Sequence, residues 1–414
     1  MTATHHEHTT SLSDARSRLR DLCVPHERTE SLSVEECAGR ILAEPVRAVR
    51  TVPHYDRAAM DGFAVRSTDT AGASEESPVQ LRLSDSPVGE GEATRVHTGS
   101  AFPDDADTVV RIERSEVSDG QVTVYDDPPA GKDVAPAGED VDAGEQLFDA
   151  GRRLRSSDLA LLRVAGHRSL DIVERPRVSV VPTGEELVTS GTDPEPGEVV
   201  ETNGLLVSKL IDQWGGTPTY RDIVGDDTER LRAVLERDTD HDIIVTTGGT
   251  SVGKRDHIED VVTNLGTVLV HGVAIKPGHP VGFGVVDETP VLLLPGYPVS
   301  CLVNAVQFLR PAIAWTAGHT PQPHPTVRAR TAEPLDSKPG KRSFERVTVE
   351  QSPAREAVNG VRTGPETGLP GVRAVKKSGA SVLSGVAFAD GWVEIPESME
   401  RIPAGAEVNV QQWE

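Results

Sequence analysis

The chain has 414 residues, 36% of them hydrophobic, which is too long for one ordinary core and apolar enough to fill two to four domains. A formal net charge of -23 argues against a nucleic-acid partner, because phosphate would be repelled unless a basic stripe stood apart, and none is visible. No run approaches the roughly 18 to 20 unbroken apolar residues of a membrane span, and the start MTATHHEHTT lacks the apolar stretch of a secretory signal, so the expected location is cytoplasmic, with no membrane partner.

Cysteines 23, 37 and 301 are odd in number, far apart and never in a CxxC pair, which excludes a disulfide frame or a zinc site as the natural reading and fits a reducing compartment. Lysine is scarce beside arginine on an acidic chain, a balance that predicts a fold and activity held best at high salt. His5, His6 and His8 fall in a polar amino-terminal tail and read as disorder rather than as a metal site.

In chain order, SLSDARSRLRDLC (11–23) predicts a short helix opened by Ser13, and a second short helix follows Ser33 and stops at Gly39. From Val46 to about Gly144, short alternating strands such as VQLRL and QVTVY are divided by Gly, Pro and Asp clusters, a β-rich texture. A helix capped by Ser157 follows and rejoins the amino-terminal helices, making the β-rich unit an insertion. The expected domains are therefore 1–45 with 146–176 as a discontinuous elongated helical and β domain, and 46–145 as the inserted β-rich domain.

From Arg177, strand and helix alternate: VSVVPTG, LLVSKLIDQWGG with Leu206, Leu210 and Trp214 four apart, IVGDD, TERLRAVLERD, DIIVTTGG, then VLLLPG and a helix after Pro298. That pattern predicts a parallel, three-layer α/β domain over 177–322. A Pro-rich linker, TPQPHPT, leads into short strands that predict a carboxy-terminal β-barrel over 323–414.

In open parallel sheets ligands collect beyond the carboxyl ends of the strands. VTTGGTSVGKRD places Gly248, Gly249 and Gly253 with the hydroxyls of Thr250 and Ser251 after a buried strand, where backbone amides can cradle an anion; the bland alternative is a connecting turn. It does not match GxxxxGK[ST], which speaks against ATP hydrolysis of that type. Thr183 and Gly184 precede Glu185 and Glu186 at a second strand end, and Asp226 and Asp227 stand at a third. With Asp256 these carboxylates would suit Mg²⁺ held beside a substrate phosphate, although Asp227 also reads as a helix cap. Lys276 sits between apolar strands, a costly place without an anion, and Ser300 begins a helix after Pro295, Gly296 and Pro298. Asp61, in YDRAAMDGFAV, reads equally as a functional carboxylate or a turn residue.

Eight segments in register, PHYDRAAMDGFAV, HTGSAFPDDADTVVRIE, AGEDV, VPTGEEL, ETNG, TTGGTSVGKRD, AIKPGHPVGFG and LPGYPVS, closely resemble the molybdopterin molybdenumtransferase family, called MoeA in bacteria and represented by the gephyrin E domain in animals. The resemblance covers nearly the whole chain and implies a MoaB/Mog-like central domain within a four-domain subunit of an L-shaped homodimer. It implies an enzyme that hydrolyses adenylylated molybdopterin with Mg²⁺ and ligates molybdate, or tungstate, releasing AMP, with a molybdopterin adenylyltransferase as pathway partner. By the same resemblance Asp227 and Asp256 correspond to metal-associated carboxylates and Glu186 to an acid near them. Lys276, His279, Arg346 and Ser381, chosen over Ser384, correspond to the molybdate pocket. Asp61, Thr98 and Asp140 match functional positions of the inserted domain.

The chain departs from the family pattern at His279, where a second lysine is frequent, and at Glu201, where a shorter side chain is usual. A single-domain adenylyltransferase and a receptor-clustering scaffold are the alternative readings. The inserted domain and terminal barrel argue against the first, and the lack of an extra amino-terminal domain argues against the second.

Overall fold

Two-residue periodicity decides the central sheet. In the computed structural model, which describes residues 9–85, 87–249, 257–350, 357–358, 361–362, 368–375 and 379–413, the chain forms two compact units, residues 29–172 and residues 1–28 with 173–414. Thr250, Ser251, Gly253, Asp256 and the His5–His8 tail lie outside the described residues.

The second unit holds helix α1 (Leu12–Leu22), then β1 (Arg177–Pro182), α2 (Asn203–Trp214), β2 (Thr217–Tyr220), α3 (Thr228–Arg237), β3 (Ile243–Thr247), α4 (His257–Leu265), β4 (Gly266–His271), β5 (Ile275–Lys276), β6 (Gly282–Val286), β7 (Thr289–Leu294) and α5 (Pro298–Asn304). The sheet runs β2-β1-β3-β7-β6-β4. Alternate residues of each central strand enter opposite cores: Val178, Val180, Ile243, Val245, Leu292 and Leu294 face α1, α2 and α5. Val181, Ile244, Val291 and Leu293 face Leu231 and Leu235 of α3 and Ile258, Val261 and Val262 of α4. A strand covered on both faces has no solvent side to carry polar residues, which is why these read as continuous apolar runs.

The sheet is not wholly parallel as expected. Strands β2, β1, β3 and β7 are parallel, whereas β6 is antiparallel to both β7 and β4. The reason is a two-residue turn: Asp287 and Glu288 both take positive φ (46° and 67°), the geometry that reverses a hairpin without a crossover helix. Segment IVGDD is also no full strand; it contributes one bridge, Val224 to Thr183.

Beyond α5 a π-helical turn (Ala305–Leu309) and α6 (Arg310–Thr316) lead to β8 (Thr326–Thr331), β9 (Arg342–Glu350), β10 (Gly371–Ala374), β11 (Gly391–Ile395) and β12 (Glu407–Gln411). Their order β9-β10-β8-β12-β11 closes because β11 also pairs with β9, giving a five-stranded barrel. Trp392, wholly buried, stacks on Trp413 and meets Phe344 edge-on. Strand β5 adds to this barrel, parallel to β9, with Ile275 opposite Arg342 and Lys276 opposite Ser343.

The unit 29–172 has separate cores. Val34, Cys37, Leu42 and Val46, before the β-rich stretch, pack with Leu154, Leu162, Leu170 and Ile172, after it. Between them a six-stranded sheet, in the order Thr108–Arg111, Gly62–Val65, Glu92–Val96, Val79–Leu83, Gln121–Val124, Ser115–Ser118, buries Phe63, Val65, Leu81, Val110, Val122 and Val124.

Two helix caps differ from the expected ones. Helix α1 is capped by Ser11, whose hydroxyl accepts from Asp14 N at 3.1 Å, not by Ser13. Its Leu12, Ala15 and Leu19 pack into the α/β core, and residues 1–28 fall within that compact unit. The helix Ser156–Val164 is capped at Arg155, not Ser157: Asp158, 3% exposed, accepts from Arg155 N at 2.9 Å and is clamped by Arg152 and Arg155. Cys23, Cys37 and Cys301 are buried, free thiols.

Candidate functional site

Strands β1, β3 and β7 end side by side, and their following loops are laced together. Thr183 N donates to Thr247 O at 3.1 Å, Gly184 N to Val224 O at 3.0 Å and Gly248 N to Leu294 O at 2.9 Å. Glycine is required at the central bend. Gly248 has φ +111°, and a Cβ there would lie 2.2 Å from the Thr183 carbonyl oxygen; at Gly249, φ +69°, it would lie 2.3 Å from Ile258 Cδ1. The turn Pro295–Tyr297 packs tightly on the same bend, since a Cβ on Gly296 would stand 3.2 Å from Gly248 Cα. Over these strand ends opens a cleft of about 940 Å³.

One wall is the start of α2. Asn203 Nδ2 donates to Gly296 O at 2.7 Å, tying helix to turn. Glu201, 7% exposed, accepts from Gly204 N at 2.7 Å and from the Tyr220 hydroxyl. Burial and then this carboxylate push the Tyr220 phenol well above its usual range. The longer acid at Glu201 thus reaches across to β2 and holds the helix start, a packing role.

The opposite wall is KPGHP. Gly278 (φ +98°) leaves no room for a Cβ, which would fall 2.0 Å from Asn304 Nδ2. That buried amide donates to Gly278 O at 3.0 Å and to Ser300 O at 2.8 Å, so one side chain clamps the lysine-bearing loop onto α5. The β5–β9 pairing then carries the barrel to the cleft. Ala380 and Ser381 line it, with Ala380 O accepting from Val299 N at 3.0 Å. Arg346, on β9, is 7% exposed; its Nη2 donates to Gly379 O at a long 3.5 Å, and its buried Nη1 has no hydrogen-bond partner among the described residues. Burial lowers its pKa, opposed by the neighbouring Glu345. The Glu345 carboxyl is itself pushed up by burial and pulled back by Lys276 and Arg346.

Of the residues singled out from sequence, the cleft brings together Glu186, Gly248, Gly249, Lys276, His279, Pro295, Gly296, Pro298, Ser300 and Ser381, with Thr183 buried directly beneath the diglycine. Ser384 starts a short helix and is not among the lining residues. Asp227 does not line the cleft. It is the N-cap of α3, where Oδ1 accepts from Glu229 N at 3.0 Å and Arg230 N at 3.1 Å. A helix start carries unpaired amides, and a carboxylate one residue upstream satisfies them. Among the described residues no three His, Cys, Asp or Glu side chains gather as a metal site. In the other unit, Asp61 accepts from Thr98 N at 2.6 Å and Thr98 Oγ1 at 3.1 Å, which hold its carboxyl below the usual range, while Asp140 is exposed.

The sequence reading passed over Asn203, Tyr297, Lys338 and Lys341, all of which line the cleft. Two lysines three residues apart in SKPGKR, on a lysine-poor chain, were the available signal for the last pair.

The fold and cleft define a multidomain protein built around an α/β module whose strand ends form one ligand-sized cleft. Family models match in series: MoeA N-terminal region (domain I and II) over residues 10–166, probable molybdopterin binding domain over 179–315, and MoeA C-terminal region (domain IV) over 328–413. Molybdopterin molybdenumtransferase 2 of Mycobacterium tuberculosis is 30% identical over 401 residues, 92% of this chain and 95% of that protein. The molybdopterin molybdenumtransferase of a Nostoc species is 32% identical over 329 residues, 76% and 75% of the two chains. Two crystal structures of molybdopterin biosynthesis MoeA proteins from Pyrococcus horikoshii superpose with a TM-score of 0.80 each, at 32% and 28% identity, over 98% of this chain and 99% and 100% of theirs. The chain belongs to the molybdopterin molybdenumtransferase (MoeA) family, and is a transferase of molybdenum cofactor biosynthesis. No helix among the described residues is long and apolar enough to cross a membrane.

Proposed function

We propose that the cleft binds adenylylated molybdopterin and molybdate, cleaves the adenylate and joins the metal oxyanion to the dithiolene, releasing AMP. The observation that carries this reading is a cleft lined by Lys276, Lys338 and Lys341 on a chain of net charge -23, with Arg346, itself not a lining residue, buried on β9 and its Nη1 without a hydrogen-bond partner among the described residues. A tetrahedral dianion needs such donors, and a buried guanidinium nitrogen without a hydrogen-bond partner carries a desolvation cost that an anion would relieve. Gly248 and Gly249 bring bare backbone against the ligand, and Ser300 and Ser381 add hydroxyl donors.

Carboxylate oxygens are the ligands Mg²⁺ takes, although among the described residues no three acids gather as a cage. Asp227 uses only Oδ1 for its cap, and Oδ2 accepts no hydrogen bond among the described residues. The adjacent loop carries Glu186 over Gly184. Asp227, Glu186 and Asp256 would hold the ion, which when bound spreads the charge developing on the cleaved phosphoanhydride. A homodimer, and an adenylyltransferase supplying the substrate, belong to the same proposal, as do a cytoplasmic setting and roles for Asp61, Thr98 and Asp140.

The test is direct. Purified adenylylated molybdopterin is supplied with molybdate or with tungstate, and AMP and active cofactor are measured. Stoichiometric AMP with metal-loaded cofactor is expected; AMP without metal incorporation, or neither product, rejects the reading.

A further inference from the structure

We infer that the barrel loop before β9 is a substrate-binding element, in which Lys338 and Lys341 receive an oxyanion group of the substrates together with Lys276. The inference rests on the function proposed above and adds to it two residues and the structural device that delivers them.

Lysine is used sparingly in this chain: eight of its 42 basic residues are lysine, and the rest are arginine. The two types do different work. Ion pairs among the described residues are made by arginine and histidine, with Lys132, 4.0 Å from Asp133, the one lysine included. Yet three of the eight lysines, Lys276, Lys338 and Lys341, line one cleft. Of the acids near the loop, Glu394 and Glu397 are taken by Arg342, at 3.0 Å and 2.9 Å, while Glu345 is within electrostatic reach of Lys276 and Glu186 lines the same cleft. Neither Lys338 nor Lys341 has an ion-pair partner among the described residues. An ordinary solvated surface lysine has no reason to converge with two others while acidic surface abounds, because like charges repel.

The fold explains how they meet. Lys276 ends β5, and its parallel pairing with β9 sets Lys276 opposite Ser343 and Ile275 opposite Arg342. The loop is anchored by its backbone: Arg342 N donates to Ala274 O at 2.9 Å, Gly340 N to Glu397 O at 2.9 Å and Ser337 N to Glu400 O at 2.8 Å. Ser337 Oγ and Ser343 Oγ, 2.7 Å apart, close its base. Lys338 and Lys341 are therefore carried on an anchored loop that places both along the cleft. An ammonium is a compact point charge that adapts to a tetrahedral oxyanion, whereas a guanidinium demands a planar fork.

Two anions fit this chemistry: molybdate, and the phosphate of the molybdopterin substrate. The experiment separates them. A Lys338→Gln/Lys341→Gln double variant is compared with the wild type and with Lys338→Arg/Lys341→Arg in the full turnover assay, varying each substrate in turn. A KM about tenfold higher for one substrate, with kcat within about twofold and partial rescue by arginine, is expected; the substrate whose KM moves identifies the anion. Unchanged KM for both substrates overturns the inference. Should the wild type itself show no turnover, the functional proposal fails, and calorimetric titration with sodium molybdate and with molybdopterin alone still decides this one: weaker binding of either by the double variant supports it, and equal binding of both rejects it.

Discussion

Two charged clusters of the same α/β-containing unit are built on opposite terms. Asp238, wholly buried after α3, is saturated: Ser179 Oγ donates at 2.5 Å, Arg221 through Nε at 2.9 Å and Nη2 at 2.7 Å, and Arg237 through Nε at 2.7 Å and Nη2 at 3.2 Å. Burial pushes its carboxyl up, but the bonds from Arg237, Ser179 and Arg221 outweigh it and hold the acid below its usual range. On the barrel side of the cleft, by contrast, Arg346 is buried with one nitrogen lacking a hydrogen-bond partner among the described residues, and Lys276, Lys338 and Lys341 line the cleft without an ion-pair partner among the described residues. A charge that is satisfied internally stabilises a fold; a charge left unsatisfied in a cleft stores affinity for something absent from the chain.

The comparison breaks most visibly at Asp238. Asp238→Ala strands Arg221 and Arg237 beside an empty acceptor and should cost about 3–5 kcal/mol, read by urea denaturation, with activity per folded molecule unchanged. The same contact sets a pH dependence. Because the folded carboxyl titrates below its unfolded value of about 4, its contribution is complete above that pH and is lost as pH falls through the folded value. Asp238→Asn should flatten that slope on the acid side, and an unchanged slope would mean other carboxylates set it.

Lys276→Ala should do the reverse. Stability should move by less than about 0.5 kcal/mol, while kcat/KM for molybdate falls about 10- to 100-fold, as expected for the loss of one charge-assisted contact of about 1.5–3 kcal/mol. Arg346→Met sharpens the contrast further. Removing a buried and incompletely bonded cation should leave the denaturation midpoint unchanged or higher while molybdate turnover drops; a clear loss of stability would make Arg346 a structural residue.

Asp227 stands between the two cases, since it caps α3 and is also proposed to hold metal. Asp227→Ala should cost about 1 kcal/mol through the lost cap, whereas Asp227→Asn, a comparable cap, should not. If the Asp227→Asn variant kept full Mg²⁺-dependent AMP release, the cap would be the residue's whole role.

Much of this molecule was legible because local chemistry repeats. Val178, Val180 and Val181, or Ile243, Ile244 and Val245, announce strands covered on both faces, and the glycines at 248, 249 and 278 mark bends where a Cβ would collide. The errors fell where several local caps compete within a few residues, and where a neighbour distant in sequence decides. Nothing local in SLSDAR says that Ser11 rather than Ser13 caps the helix, nor that α1 packs into the core of β1 and β7. Asp227 illustrates a harder ambiguity: one side chain offers two oxygens, and sequence does not say how they are divided.

By itself, then, the sequence determined the alternation of strands and helices, the glycine bends at the strand ends and the family to which the chain belongs, because each depends on residues close together or on motifs in fixed order. Tertiary structure alone decided that α1 packs into the core of the α/β module, that β5 leaves that module to join the barrel, and that Lys338 and Lys341 consequently meet Lys276. The physical reason is that strand pairing is a contest among backbone partners far apart in the chain, won by the register that buries the most apolar surface, and no short window of sequence contains both contestants.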